Sequence, residues 1–133
     1  MKKNMILALL LTLSLTLGLD AGEMHGRPML AQTPYAQAKT LLGKGKPVFF
    51  EVGSDTCRSC RKMGKKLYTL TEAHPDYVIK FINVKEEREA AIEMKIMMIP
   101  TQIIFDASGK EVYRHVSVLE DDELNGLLEK YGF

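Results

Sequence analysis

The sequence predicts one α/β domain built on a mixed β-sheet, and three observations lead there. A strand-like apolar run, a helical run and a second strand-like run follow one another between positions 47 and 84, the order of a right-handed βαβ crossover with parallel strands. Two further strand-like runs flank a short turn at 106–110, so the same sheet has an antiparallel part. The 133 residues are 46% apolar and 26% charged, enough for one ordinary core plus a short extension and too few for a multidomain enzyme.

The chain opens on an address. Lys2 and Lys3 precede an uncharged, leucine-rich stretch from Met5 to Leu19, and Asp20 is followed by the small residues Ala21 and Gly22. A basic start, an apolar run short of the ~20 residues a spanning helix needs, and a small-residue site are the layout of a secretory signal peptide. Residues 1–21 are therefore expected to be a leader cut after Ala21, with retention as an N-terminal anchor as the alternative. No cysteine stands near the cut to carry a lipid. Losing Lys2, Lys3 and Asp20 takes the net charge from +1 to zero, and 18 basic against 17 acidic residues argue against nucleic acid as a partner. A leader this short and leucine-rich looks bacterial. The expected location is then the periplasm or the cell exterior, where disulfides persist.

Residues 22–33 lack a clear period and read as a leading segment tied down late or not at all. The domain itself is expected over 34–133. Thr33-Pro34 starts a helix, threonine as its cap and proline at the first helical position. Tyr35, Ala38, Leu41 and Leu42 share its buried face and Gly43 closes it. Pro47 opens the run Val48-Phe49-Phe50-Glu51-Val52, too short for a helix and aromatic-rich enough for a buried strand. In the helix that follows the cysteines, Met63, Leu67 and Leu70 share one face, while Arg61, Lys62, Lys65 and Lys66 read as its solvated side. That helix fades at His74-Pro75, and Tyr77 to Val84 form the second strand. Glu86 to Lys95 is a short charged helix with Ala90, Ala91 and Met94 free to pack. Thr101–Phe105 and Glu111–Val116 flank the Asp106–Lys110 turn as a hairpin. The last helix begins near Asp121 and Asp122, whose charges suit its positive end, and buries Leu124, Leu127, Leu128 and Tyr131.

Only two cysteines occur, Cys57 and Cys60, too few for a disulfide scaffold or an all-cysteine zinc site. They sit where a buried strand gives way to a helix. Unpaired backbone N–H groups and the helix dipole stabilise a negative sulfur there, and such surroundings lower a cysteine pKa from about 8.5 to roughly 3.5–7.5. Arg58 pushes the same way, and Ser59 completes the dipeptide that tunes the thiolate. Cys57, outward in the first turn, is the expected nucleophile toward a substrate disulfide. Cys60, three residues on and turned inward, is the expected resolving thiol. Glu51 is the only charge between Pro47 and Val52. It is either a desolvated carboxylate that takes the Cys60 proton or a solvated residue on a half-exposed face. Pro100, at the entry to an apolar strand, is either a trans strand-starter or a cis proline that exposes backbone for an extended substrate.

The set Lys46-Pro47-Val48-Phe49-Phe50-Glu51, Cys57-Arg58-Ser59-Cys60-Arg61-Lys62-Met63 and Ile99-Pro100-Thr101, with the Asp106–Lys110 turn, resembles the thioredoxin family over about residues 34–131. It is similar above all to exported thioredoxin-like proteins and to the C-terminal thioredoxin-like domain of the transmembrane reductase DsbD. The resemblance implies the thioredoxin fold: a central mixed sheet of a βαβ unit plus a C-terminal hairpin and helix, flanked by helices. The family's buried acid stands six positions before its first active cysteine, where this chain has Glu51. Its cis-proline falls on Pro100, so Met98, Ile99, Pro100 and Thr101 are the implied substrate-binding stretch. Two departures touch partner choice and redox potential: Thr56 stands in place of the usual tryptophan, and Arg58-Ser59 in place of Gly-Pro. Met97 and Met98 either accept varied apolar segments or simply pack beneath the loop.

The expected activity is thiol:disulfide exchange without cofactor or metal. The three histidines are dispersed and none stands at a zinc-finger spacing from Cys60, while Met24, His25 and Met29 read more simply as linker than as copper ligands. The alternatives are a disulfide donor, or a non-catalytic module of the same fold. An oxidant resembling DsbA carries a helical insertion and an isomerase resembling DsbC a dimerisation domain, and about 110 residues hold neither. The resemblance therefore implies a reductase, expected to be monomeric, that draws electrons from a membrane donor of the DsbD or CcdA type and passes them to exported proteins.

Overall fold

The computed structural model describes residues 28–133, so the expected leader lies outside the described residues, together with Met24 and His25. Four strands form one sheet: β1 (Val48–Gly53), β2 (Val78–Asn83), β3 (Thr101–Phe105) and β4 (Glu111–Val116), in the order β2-β1-β3-β4. β1 runs parallel to β2 and antiparallel to β3, and β3 pairs antiparallel with β4. Among the described residues four helices accompany the sheet: α1 (Tyr35–Lys39), α2 (Arg58–Ala73), α3 (Arg88–Glu93) and α4 (Asp121–Lys130).

The alternation of side chains along β1 sorts the core into two layers. Val48, Phe50 and Val52 point one way, joined by Ile82, Ile103, Ala38 of α1, Ala90 of α3 and Met94 just after it. Phe49 points the other way, with Ile79, Ile104, Met63 and Leu67 of α2, and Leu124 and Leu128 of α4. As a central strand covered on both faces, β1 has all six of its residues buried, Glu51 among them.

Two expectations near the N-terminus need correction. Thr33 does not cap α1: its N–H bonds the Phe81 carbonyl at 2.8 Å, and Pro34 occupies the cap position without a side-chain bond. The Tyr35 N–H goes instead to the Glu87 carboxylate, at 3.0 and 3.1 Å. The regular helix stops at Lys39 and continues as i→i+3 turns to Leu42, and Gly43 follows at φ 69°. The described part of the leading segment is also held. Gln32 bridges Phe81 on the outer edge of β2, Leu30 N–H reaches the Gly64 carbonyl at 3.0 Å, and Gln32 bonds both Asn83 and Glu86. Gly64 makes this approach feasible, since a Cβ there would lie 2.8 Å from the Met29 methyl.

Lys66 also departs from its expected solvated place. Its side chain is only 16% exposed and reaches the N-terminal end of α4, at 2.8 Å from Asp121 and 3.0 Å from the Leu119 carbonyl. Burial works against its charge, yet the bonds and charges of Asp121 and Glu120 outweigh it and raise its pKa. Lys66 thus pins α2 to α4.

Candidate active site

The site grows from the C-terminal end of β1. Ser54 turns the chain: its hydroxyl contacts Thr56 Oγ1 at 3.0 Å and accepts the Thr56 N–H at 3.2 Å, and its carbonyl accepts the Cys57 N–H at 3.2 Å. Cys57 is then the N-cap of α2. Its sulfur accepts the Cys60 N–H at 3.3 Å, and its carbonyl accepts the first helical bond, from Arg61 at 2.9 Å. A sulfur that caps a helix stands at the positive end of the dipole, and no acidic residue in the first turn opposes that field. Arg58 and Ser59 are exposed beside it.

Cys57 and Cys60 form a disulfide, with their Cα atoms 5.2 Å apart. Cys57 is half-buried, whereas Cys60 is fully buried. Cys60 packs directly on the sheet at Gly53, where an added Cβ would stand 2.9 Å from its sulfur. Strand alternation puts Glu51 on that same face, two residues before Gly53. Glu51 is fully buried, its Oε2 accepts from Gln102 Nε2 at 3.0 Å, and its Oε1 has no partner. Burial therefore raises its pKa well above the ordinary carboxylate value, and the Gln102 bond only partly counters that. Of the two readings left open for Glu51, the desolvated one describes its surroundings.

The Ile99–Pro100 peptide bond is cis. Thr101 pairs with Val52 at the end of β1 and with Val116 at the end of β4, so Pro100 and the cysteine turn share one end of the sheet. Pro100 and Thr101 are buried, and the Thr101 hydroxyl bonds the Met98 carbonyl at 2.6 Å. Met97 and Met98 are 90% and 65% exposed, so they do not pack beneath the loop. Met29, of the suggested copper trio, lies against Gly64. Among the described residues no three His, Cys, Asp or Glu side chains are grouped to hold a metal.

The thioredoxin-like domain family matches residues 34–132. The chain belongs to that family. A thioredoxin of Alicyclobacillus acidocaldarius is 33% identical over 84 residues, spanning 62% of this chain and 79% of that protein. Fasciola hepatica thioredoxin superposes with a TM-score of 0.67 at 22% identity, covering 77% of this chain and 99% of its own. A thioredoxin variant from Halobacterium salinarum NRC-1 also scores 0.67, at 23% identity, over 80% and 92% of the two chains. The four-stranded mixed sheet flanked by helices is thus the thioredoxin fold. Family membership and the Cys57–Cys60 pair together make this chain a thioredoxin-like thiol:disulfide oxidoreductase.

Reading the sequence did not single out Gln102 as the partner of Glu51, nor His115 beyond it. The signal available was a lone amide in the otherwise apolar run Gln102-Ile103-Ile104-Phe105. Its meaning depends on strand register, which places it opposite Glu51.

Proposed function

We propose that this protein is an exported reductase that delivers electrons from its Cys57/Cys60 dithiol to disulfides of extracytoplasmic proteins. The observation that carries the reading is the asymmetry of the pair: an accessible sulfur capping α2, and a buried one packed on Gly53 above the row that holds Glu51. In the reduced enzyme the Cys57 thiolate attacks a substrate disulfide, forming a mixed disulfide and releasing one substrate thiolate, which takes a proton from solvent. Glu51, as carboxylate, accepts the Cys60 proton. The Cys60 thiolate then attacks the Cys57 sulfur, the second substrate thiolate leaves, and the Cys57–Cys60 disulfide remains. Two electrons have passed to the substrate. Arg58 and Ser59 tune the first thiolate, while Met98, Ile99, Pro100 and Thr101 present the surface on which an extended substrate lies.

Export rests on the leader read at residues 1–21. Electrons for the next cycle come from a membrane donor of the DsbD or CcdA type, and the working unit is a monomer. The test is insulin reduction with dithiothreitol. Wild type accelerates it, Cys57→Ser abolishes turnover, and Cys60→Ser accumulates a mixed disulfide visible on a non-reducing gel. Trapping by the Cys57 variant instead would reverse the roles, and no rate above background would leave a binding module. A redox titration against glutathione sets direction: a strongly reducing potential supports electron delivery, and an oxidising one supports a disulfide donor.

A further inference from the structure

Among the described residues, three buried side-chain nitrogen or oxygen atoms lack a hydrogen-bond partner: Glu51 Oε1, Gln102 Oε1 and His115 Nε2. They are not scattered. Glu51 on β1 stands opposite Gln102 on β3, and Gln102 stands opposite His115 on β4, so all three lie in one row across the sheet. Directly opposed residues have Cβ atoms about 4.5–5.5 Å apart. On the other side of Glu51 the row continues into Phe81 of β2, which offers no polar group.

We propose that His115 is a positioning residue for Glu51, acting through the Gln102 amide. An amide has a donor end and an acceptor end, and Gln102 has committed its NH2 to Glu51. Its Oε1 therefore needs a donor, because a buried oxygen without one has lost its water and gained nothing in return. His115 Nε2 is the buried nitrogen at the matching register position; the two atoms make no direct hydrogen bond, and one bound water between them would carry the His115 N–H to that oxygen. This contact locks the amide with its NH2 toward Glu51. A flipped amide would aim its carbonyl at the carboxylate, so losing the lock disfavours the ionised acid.

Among the titratable groups on the elements packed against this face, Arg58, Arg61, Lys62 and Glu72 of α2 are exposed to solvent. α2 brings Cys57 and Cys60, and Lys66, which turns to Glu120 and Asp121. β4 brings Tyr113, which burial acts upon first and then Glu123 of α4 and Tyr131 at its end. None of them hydrogen-bonds Glu51, whose perturbation comes from burial and Gln102.

The inference deepens the proton-acceptor reading of Glu51, and its test is independent of exchange. The Glu51 carboxyl is titrated by carbon NMR in the oxidised full chain. His115→Phe is expected to raise the Glu51 midpoint by about half a pH unit or more, roughly threefold in proton affinity, and Gln102→Leu at least as far. His115→Gln carries an amide N–H to the Nε2 position without a titrating ring and is expected to return the midpoint to the parent value. Where the phenylalanine variant does not fold, His115→Asn replaces it, since its shorter amide stops short of Gln102. An unchanged midpoint in the Phe or Asn variant overturns the proposal, as does an equal shift in the Gln variant. If Glu51→Gln leaves exchange untouched, the acceptor reading alone fails and the titration still decides on His115.

Discussion

Glu51 carries opposite consequences for folding and for chemistry. Its folded pKa is raised by burial, so the native state binds that proton more tightly than the unfolded chain does. Its contribution to stability is complete below the unfolded carboxylate value, about 4.3, and is lost as pH rises through the folded value. Glu51→Gln is therefore expected to unfold at a higher temperature than the parent at pH 7, with the gap closing at pH 4. Each kcal/mol recovered reads as about 4–8 °C for a domain of this size. A gap that widens on acidification would contradict the account. The same variant is expected to slow Cys60 attack, because no group remains to take its proton. Gly53 sets a second residue-scale limit. Gly53→Ala places a methyl 2.9 Å from the Cys60 sulfur and 3.0 Å from its Cβ. The expected cost is about 1–3 kcal/mol by denaturant unfolding, with slower release of mixed disulfide. An unaltered denaturation midpoint would mean that Cys60 has room to move. Glu51 and the cysteines could be read in the sequence because each breaks a local pattern, a charge in an apolar run or two sulfurs three apart. Gln102 and His115 could not, because each matters only through the strand opposite it.

At the scale of elements, the strands and α2 followed from apolar runs and helical spacing, with β3 and β4 ending at the expected residues. What failed was the cap of α1, where sequence order suggested a local one and the structure uses a distant one. Thr33 is tied to β2, and Glu87, 52 residues from Tyr35, caps the helix instead. Local cues carry no information about such a partner. The contact between α2 and the leading segment gives a sharp test. Alanine favours a helix interior over glycine by about 0.8–1 kcal/mol, but a Cβ at Gly64 meets the Met29 side chain at 2.8 and 3.2 Å. Gly64→Ala is expected to be neutral or destabilising in the parent and stabilising by up to about 1 kcal/mol in a Met29→Ala background. Additive effects in that cycle would mean the two positions do not touch.

For the whole molecule, β3 is the seam between two layers. Ile103 is buried in the layer of α1 and α3, and Ile104 in the layer of α2 and α4. If both layers share one sheet and fold as a unit, Ile103→Ala and Ile104→Ala each cost about 2–5 kcal/mol and shift one common transition without changing its slope. The chain has five tyrosines and no tryptophan, so tyrosine fluorescence and far-ultraviolet circular dichroism supply the two probes. Transitions that separate in either variant would show the layers melting independently.

The bridge from Gln32 to Phe81 bears on how this protein is handled as a material. The family match begins at residue 34, yet the rim of β2 is covered by residues that come before it. A version trimmed to that boundary would uncover the backbone at Phe81 on the outer edge of β2, and a bare strand edge is a template on which neighbouring copies stack. Keeping residues 28–33 is expected to guard against clumping in concentrated preparations, which light scattering of the trimmed and untrimmed chains would check.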